Sequence, residues 1–202
     1  MELDIRRLSP QLANDYMYYF KNDAFSDHRD WAGCFCLHFH LDKKLAASYE
    51  AFCKTAHQDD LSFSLHYAEQ YVKNGIIQGY LAYFNNRVVG WCNANDKQEY
   101  AALKSNVDPG LWTDDGDKKV KSVVCFSVAP DMRGRGISTT LLECVCSDAL
   151  IEGYDFIEGY PLAGECDMYA AHHGTVALFE KCGFTLHKQS DGNCIMRKLY
   201  HA

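Results

Sequence analysis

Hydrophobic and polar positions follow two different periods along the 202-residue chain, and the helical period dominates its first half. In residues 44–56 the apolar positions fall at offsets 0, 4, 7, 8 and 11, which is the spacing of one helix face. Residues 62–74 repeat this spacing, and the aromatic-rich residues 11–20 predict a further helix. Because residues 3–8 alternate apolar and charged positions, we expect a short strand before these helices.

From residue 76 onward the pattern changes to short runs rich in β-formers. The runs 76–84 and 87–94 flank Asn85-Asn86, and two residues that tolerate positive φ between such runs predict a hairpin. Residues 106–121 are acidic and contain glycine, so they predict a surface loop. The apolar run 123–128 that follows has the length of a buried strand.

The last third of the chain alternates helix and strand patterns. A helical pattern begins after Gly136 and ends at Gly153, and residues 155–162 predict a strand. Residues 184–188 and 194–199 predict a final hairpin. The mixture of strands and helices predicts an α/β fold of the mixed, α+β kind.

Length and composition favour an ordinary globular protein. At about 150 residues per domain, we expect one domain spanning residues 1–202. The hydrophobic fraction of 48% and the charged fraction of 23% exclude disordered, collagen-like and coiled-coil chains. A net charge of −7 argues against sequence-independent binding to nucleic acid or to an anionic membrane.

Ten cysteines raise the question of compartment. The charged N-terminus does not resemble a signal peptide, and no window of 18 apolar residues predicts a membrane span. We therefore expect a cytoplasmic protein whose thiols stay reduced and lie mostly in the core.

One cysteine pair belongs to an unusual alternation of Cys34, Cys36, His38 and His40. On a strand these four side chains would share a face, but they would extend over about 20 Å at about 3.3 Å per residue. That is too far for one tetrahedral zinc ion, so a packed or pocket-lining segment is favoured and no metal is predicted.

The segment between the buried strand and the following helix carries the clearest chemistry. Arg133, Gly134, Arg135 and Gly136 lie directly before the helix begins at Ile137. Free N–H groups at a helix N-terminus, with glycines that admit close approach, bind phosphate. The nucleoside-triphosphate and dinucleotide motifs are both absent, and an ordinary strand-to-helix turn is the alternative.

These residues resemble a known motif. Val128-Ala129-Pro130, followed by residues 133–138, is similar to the acetyl-CoA site of the GNAT acetyltransferases, Arg/Gln-x-x-Gly-x-Gly/Ala, from which Ser138 departs. Residues 177–184 resemble the closing helix and strand of that family, Leu-Tyr-Glu-Lys-x-Gly-Phe. The resemblance covers about residues 3–199 and includes features of a bacterial branch without an assigned substrate.

The resemblance implies a fold, a cosubstrate and a reaction. The fold would be a central twisted, mostly antiparallel sheet, splayed between its fourth and fifth strands and flanked by helices. The reaction would transfer acetyl from acetyl-CoA to a primary amine of a small molecule by direct attack in a ternary complex. The cofactor-binding residues that it implies are Phe126, Ser127, Val128, Arg133, Gly134, Arg135, Gly136, Ile137, Ser138, His172, Phe179 and Lys181.

The reaction needs an acid for the departing thiolate. Many family members use a tyrosine of the closing helix, where this chain has Phe179. Tyr160, Tyr169 or Cys166 could replace it, and the two tyrosines are preferred. A thiol is already a fair leaving group, so such an acid is helpful rather than necessary.

The candidates for the general base are Glu158, Glu165, His172 and His173. Glu158 is preferred because it shares a strand face with Tyr160 near the implied slot. The alternative is a glutamate held by an arginine or by a backbone N–H group. His172 occupies a position where the family often binds the pantetheine arm, and His173 is interpreted as a helix-start residue.

Other functions stay open at this point. Phe179 motivates a coenzyme A sensor without turnover, and a protein N-terminal or lysine acetyltransferase is a third possibility. The acidic residues 108–117 could attract a cationic amine, although a solvated loop is favoured. The choice between monomer and homodimer is not predicted.

Overall fold

One seven-stranded sheet organises the chain. The structure is a computed structural model and describes residues 1–31, 33–56, 60–106, 111–164, 170–190 and 192–200. The spatial order of the strands is β1-β2-β3-β4-β5-β7-β6. Their bounds are β1 Asp4–Arg7, β2 Gly79–Phe84, β3 Arg87–Asp96, β4 Val120–Val128, β5 Phe156–Gly159, β6 Thr185–Ser190 and β7 Asn193–Leu199.

The fourth and fifth strands diverge. Every neighbouring pair in the sheet is antiparallel except β4 and β5, which are parallel. Residues 120–123 of β4 pair with residues 156–159 of β5. Among the residues that the structure describes, the rest of β4 has no pairing partner in β5. The predicted fold class is confirmed: the sheet is mixed, mostly antiparallel and splayed between its fourth and fifth strands.

Helices flank this sheet. The helix α5 contacts β2, β3 and β4, while α1 contacts β3 and α3. Between α1 and the sheet, the rings of Tyr16 and Phe20 pack against the fully buried Trp91. The helices are α1 Ala13–Asn22, α2 Lys43–Ala56, α3 Asp60–Lys73, α4 Leu103–Asn106, α5 Ile137–Ile151 and α6 Val176–Lys181.

The predicted hairpin is confirmed by its turn. Asn85 and Asn86 have φ values of 50° and 61°, as a two-residue hairpin turn with positive φ requires.

The predicted loop 106–121 is wrong at both ends, because α4 ends at Asn106 and β4 begins at Val120. Lys121 is buried in β4 and its amine donates a hydrogen bond to Glu152. Because the apolar pattern does not include this charged residue, it places the start of the strand too late. Part of this loop, residues 107–110, lies outside the described residues.

The segment from Cys34 to His40 does not form the strand on which its four side chains would share a face. Cys36 has a φ of 53°, and His38–His40 form a short 3-10 helix. His40 lies between the rings of Tyr71 and Tyr100. Within the described ranges, no three His, Cys, Asp or Glu side chains are arranged to hold a metal ion. None of the helices that the structure describes is long and apolar enough to cross a membrane.

Candidate active site

A cavity of about 900 Å³ lies beside the part of β4 that β5 does not pair. Four segments contribute to its lining: residues 20–39, the end of β4, the loop that leads into α5, and residues 172–178. The splayed strands and the predicted phosphate loop therefore meet at one place. The cavity brings together these predicted cofactor-binding residues: Phe126, Ser127, Val128, Arg133, Gly134, Gly136, Ile137, Ser138 and His172.

The loop before α5 has the geometry of a phosphate cradle. Gly134 and Gly136 have φ values of 73° and 80°, which other residues rarely adopt. A Cβ built on either glycine would meet no described atom within 4 Å, so a ligand can approach the backbone from that side. The first N–H groups of the 15-residue α5 have no partner within the helix, and Gly136, Ile137, Ser138 and Thr139 at its start line the cavity. The residues present fit the phosphate groups of coenzyme A.

Arg133 connects this loop to the segment after α1. Its Nε donates to the Val128 carbonyl oxygen at 3.2 Å, and its Nη1 lies 2.5 Å from Asp27 Oδ2. The hydrogen bonds from Arg133 hold the pKa of Asp27 below its ordinary value. Both side chains of the pair are about one third exposed, at 34% and 33%, so an arriving phosphate can compete for the guanidinium. Arg135 is exposed and is not among the described lining residues.

The β4 strand bends where the cavity begins. The register against β3 passes from Cys125 to Val123, which leaves Val124 as the extra residue of a bulge. The parallel pairing with β5 ends at the same level, at Val123 and Gly159. The Val124 carbonyl oxygen, at this bulge, forms a hydrogen bond with a side chain.

His173 supplies that partner. Its Nδ1 lies 3.0 Å from the Val124 carbonyl oxygen. A carbonyl can only accept, so Nδ1 carries the proton and Nε2 of the neutral ring keeps its lone pair. Burial, together with the neighbouring His172, lowers the pKa of His173 to about 4. The ring is therefore neutral at pH 7, and it belongs to the cavity lining.

The sequence analysis includes His173 among the candidate bases but prefers Glu158 and interprets His173 as a helix-start residue. Nothing local distinguishes it, because its role depends on a hydrogen bond to a β4 residue that is 49 positions away. The adjacent pair His172-His173 ahead of the closing helix was the one available signal.

Glu158 occupies a different environment from the one expected of a base. It is fully buried, and its carboxylate lies 2.9 Å from Lys97 Nζ and accepts from Arg197 Nε at 2.6 Å. Asp115 completes this cluster by pairing with the same two cations. The described lining residues do not include Glu158. The structure thus shows the alternative, a glutamate held by an arginine, and the choice of Glu158 as base stays an untested prediction that the geometry does not favour.

Tyr160, one of the predicted acids, lies beside this cluster. Its hydroxyl is 2.7 Å from Ser122 Oγ and donates to Glu158 at 3.0 Å. Burial and the Glu158 charge raise the pKa of Tyr160 well above its ordinary value. The described cavity lining does not include Tyr160, so its role as acid gains no support. The second predicted acid, Tyr169, lies outside the described residues, as do Glu165 and Cys166.

Phe179 packs underneath the cavity rather than lining it. The ring is fully buried, contacts Phe126 at a centroid distance of 6.2 Å, and lies against Gly159. Leu178, the preceding residue of α6, reaches the cavity instead, while Lys181 is exposed at the end of the helix. Direct contact of Phe179 and Lys181 with the cofactor stays a prediction that the described lining does not support.

The segment with alternating cysteines and histidines is part of the cavity. Cys34, Cys36 and His38 all belong to the lining, which confirms the interpretation of a pocket-lining segment. The Cys36 sulfur accepts a hydrogen bond from the indole of Trp91 at 3.3 Å. Hydrogen bonding with Cys125 raises the pKa of Cys36 well above its ordinary value, so this thiol stays protonated. Such thiols act as small apolar groups.

A sheet whose fourth and fifth strands part beside a glycine loop at a helix N-terminus is the architecture of an acetyl-CoA-dependent acyltransferase. The family model described as the Acetyltransferase (GNAT) family matches residues 41–184, and the chain belongs to this family. As a member, it is an N-acetyltransferase with acetyl-CoA as its cosubstrate. The predicted family and enzyme class are confirmed.

Solved structures show the same fold at low sequence identity. The PaiA N-acetyltransferase of Thermoplasma acidophilum, in complex with coenzyme A, has a TM-score of 0.52 and 14% identity over 99% of this chain and 100% of its own. An N-acetyltransferase of Staphylococcus aureus Mu50 has a TM-score of 0.52 and 13% identity over 98% and 99%. The NatC complex bound to Gag peptide and coenzyme A has a TM-score of 0.53 and 16% identity over 99% of each chain. A search of curated proteins gives no match.

Proposed function

We propose that the protein transfers acetyl from acetyl-CoA to the primary amine of a small molecule by direct attack in a ternary complex. The observation that carries the proposal is a single cavity that joins the open glycine loop to a neutral histidine, His173, at the bulge of β4. A cavity of about 900 Å³ suits a small acceptor, because pockets of roughly 300–1,000 Å³ typically enclose small ligands. The complex with Gag peptide makes a peptide acceptor the alternative.

The chain's own residues divide the binding of acetyl-CoA. Gly134, Gly136 and the first turn of α5 would hold the phosphates, with Arg133 adding charge. The end of β4 that β5 does not pair, residues 125–128, would offer backbone groups to the pantetheine arm on that side. Holding amine and thioester together in such a site supplies up to roughly 7–11 kcal/mol of the barrier reduction.

The proton transfer is assigned to His173. The amine nitrogen uses its lone pair to form the N–C bond, the C–S bond breaks, and that electron pair leaves on sulfur. The proton lost by nitrogen passes to Nε2 of His173 and from there to the thiolate, so the products are amide and free thiol. The hydrogen bond from Nδ1 to Val124 fixes the tautomer that this step needs.

The proposal is tested with acetyl-CoA and a panel of primary amines, by chromatographic measurement of N-acetyl products. His173→Gln should lower kcat by about 10²-fold, the lower end of the range for a positioned base. His187→Gln, an exposed histidine on β6 outside the described lining, is the matched control and should leave kcat unchanged. Equal rates for wild type and His173→Gln would overturn the assignment of the base.

The phosphate loop has a matched control of its own. Gly136→Trp should abolish measurable coenzyme A binding, because the indole would fill the open side of the loop. Gly192→Trp replaces a glycine with a similar φ of 85° and the same open surroundings among the described atoms, but in the β6–β7 turn. It should leave binding intact. Stabilisation by coenzyme A without product from any amine would favour the sensor function that Phe179 motivated.

A further inference from the structure

Part of the cavity wall is aromatic. We call it the acceptor wall and define it as Phe25, Trp31, Cys34, His38 and Phe39, all of which line the cavity. The Phe25 and Trp31 rings meet edge to face at 6.4 Å. Phe39 meets the ring of His173 in the same way at 5.9 Å. A planar ring bound against Phe39 would therefore lie close to the proposed base.

The charges around the cavity disfavour a cationic acceptor. Among the lining residues that the structure describes there is no aspartate or glutamate, and Arg133 is the one lysine or arginine. Its partner Asp27 is already engaged. An alkylamine has a pKa near ~10.4, so at pH 7 it would enter as an ammonium ion and lose its hydration without gaining a counter-ion.

We propose that the acceptor is an aromatic amine whose amino group is attached directly to the ring, bound against the acceptor wall as the neutral molecule. This inference rests on the proposed function and specifies its substrate class. The ring would gain aromatic contacts with Phe25, Trp31 and Phe39. The nitrogen lone pair is available for attack at pH 7 without prior loss of a proton, so the site needs no carboxylate to bind the substrate.

The proposed base is consistent with this substrate. Phe39, His172 and His38 face His173, and burial together with the neighbouring histidines lowers its pKa to about 4. Such a group cannot remove a proton from an alkylammonium ion, because the two pKa values differ by roughly six units. It can accept the far more acidic proton that an arylamine nitrogen carries once the N–C bond forms. As in the proposed function, the N–C bond forms, the C–S bond breaks, and the proton passes through His173 to the thiolate.

Two isomeric amines separate the classes. 4-Methylaniline and benzylamine have the same formula and ring, but only the first carries nitrogen on the ring. At pH 7, kcat/KM for 4-methylaniline should exceed that for benzylamine by at least about ten-fold. Between pH 6.5 and 8.5, kcat/KM for 4-methylaniline should stay nearly constant. Over the same range kcat/KM for benzylamine should rise about ten-fold per pH unit, because the fraction of free amine rises. A preference for benzylamine or for a polyamine at pH 7 would overturn the inference.

A substitution in the wall tests the missing carboxylate. Cys34 is exposed and lies in the lining, so an acidic side chain there can face the cavity. Cys34→Asp should raise the ratio of kcat/KM for benzylamine over 4-methylaniline by about ten-fold, and Cys34→Asn, of equal size, should not. Thermal unfolding checks that both variants fold. An unchanged ratio in Cys34→Asp would contradict the role given to charge.

The outcomes distinguish this inference from the proposed function. If alkylamines or peptide N-termini are acetylated and arylamines are not, the substrate class is wrong and acetyl transfer to amines stands. If coenzyme A binds but no amine in the panel, aromatic or aliphatic, is acetylated, the proposed function fails and the substrate class fails with it.

Discussion

Arg197 donates a hydrogen bond from its Nε to Glu158 Oε1 at 2.6 Å, and this contact joins the central strands β5 and β7 through their side chains. Lys97 and Asp115 extend the pair into a buried group of two cations and two anions. Burial alone would raise the pKa of Asp115, but the hydrogen bond and charge from Lys97 and the charge of Arg197 hold it below its ordinary value. Asp115 therefore stays ionised beside the two cations, and the group links β5 to β7 near the end of the pairing between β4 and β5.

Glu158→Gln should be a stability variant rather than a catalytic one. It keeps the side-chain volume but removes one anion from the buried group, which costs roughly 3–5 kcal/mol when a partner is left unpaired. Urea unfolding should show this loss, while the shape of the kcat–pH profile stays that of the wild type. Glu69→Gln breaks a surface pair with Lys73 and should cost under about 0.5 kcal/mol. If Glu158→Gln instead keeps the wild-type stability and loses the acidic limb of the kcat–pH profile, Glu158 would be the general base after all.

His40 should make the fold sensitive to mild acid. Its side chain is buried beside the ring of Tyr100, and burial lowers its pKa from 6.5 to about 4. In this range the unfolded chain binds the proton and the folded chain does not, so stability is complete above pH 6.5 and falls as the pH drops toward 4.

The size of this effect is about 3 kcal/mol, from about 1.4 kcal/mol per pKa unit. His40→Phe should remove that part of the decrease in the free energy of unfolding between pH 6.5 and 4, measured by denaturant titration at each pH. His66→Phe, on the exposed face of α3, should keep the wild-type slope. A His40→Phe curve parallel to the wild-type curve would show that His40 is protonated inside the fold.

The sequence predicts those parts of the molecule whose signals are local. The loop at Gly134 and Gly136 and the turn at Asn85-Asn86 require backbone conformations that few residue types adopt, so the residues themselves reveal them. The helix α5 is also predicted from a local signal, the spacing of its apolar residues.

Long-range contacts decide the rest. The alternation from Cys34 to His40 fits a strand, but the burial of His40 against Tyr100 imposes a 3-10 turn instead. Glu158 shares its strand face with Tyr160 as expected, yet its partners Lys97 and Arg197 come from distant segments that no local pattern connects. His173 acquires its role through its hydrogen bond with the Val124 carbonyl at the bulge of β4, a residue that is far away in the sequence.

Asp27→Asn should strengthen the binding of coenzyme A. Asp27 competes with the phosphates for the guanidinium of Arg133, and an exposed pair of this kind is worth roughly 0.2–1 kcal/mol. Its removal should lower the Kd of coenzyme A by up to about five-fold in isothermal titration, with kcat unchanged. Asp131→Asn makes the same charge change beside the same loop, but Asp131 pairs with Arg87 at 2.8 Å. An equal gain in both variants would attribute the effect to net charge rather than to release of Arg133.

Gly159→Ala should displace the ring of Phe179, which lies against Gly159 where the pairing of β4 with β5 ends. A Cβ at Gly159 would lie 2.1 Å from Cε1 and 2.2 Å from Cζ of Phe179, so the fully buried ring would have to shift. The expected cost is about 1–3 kcal/mol, as for other overpacked cores. Phe179→Leu alone should also destabilise, because it leaves a cavity.

The double variant decides whether these two losses share one cause. If the ring is the obstacle, Gly159→Ala/Phe179→Leu should be more stable than the sum of the single losses allows, with a favourable coupling of at least about 0.5 kcal/mol. Additive losses would show that alanine at 159 acts on the strand backbone and not through Phe179. Because pairing of β5 with β4 ends at Gly159, KM for acetyl-CoA should rise in Gly159→Ala and return toward the wild-type value in the double variant.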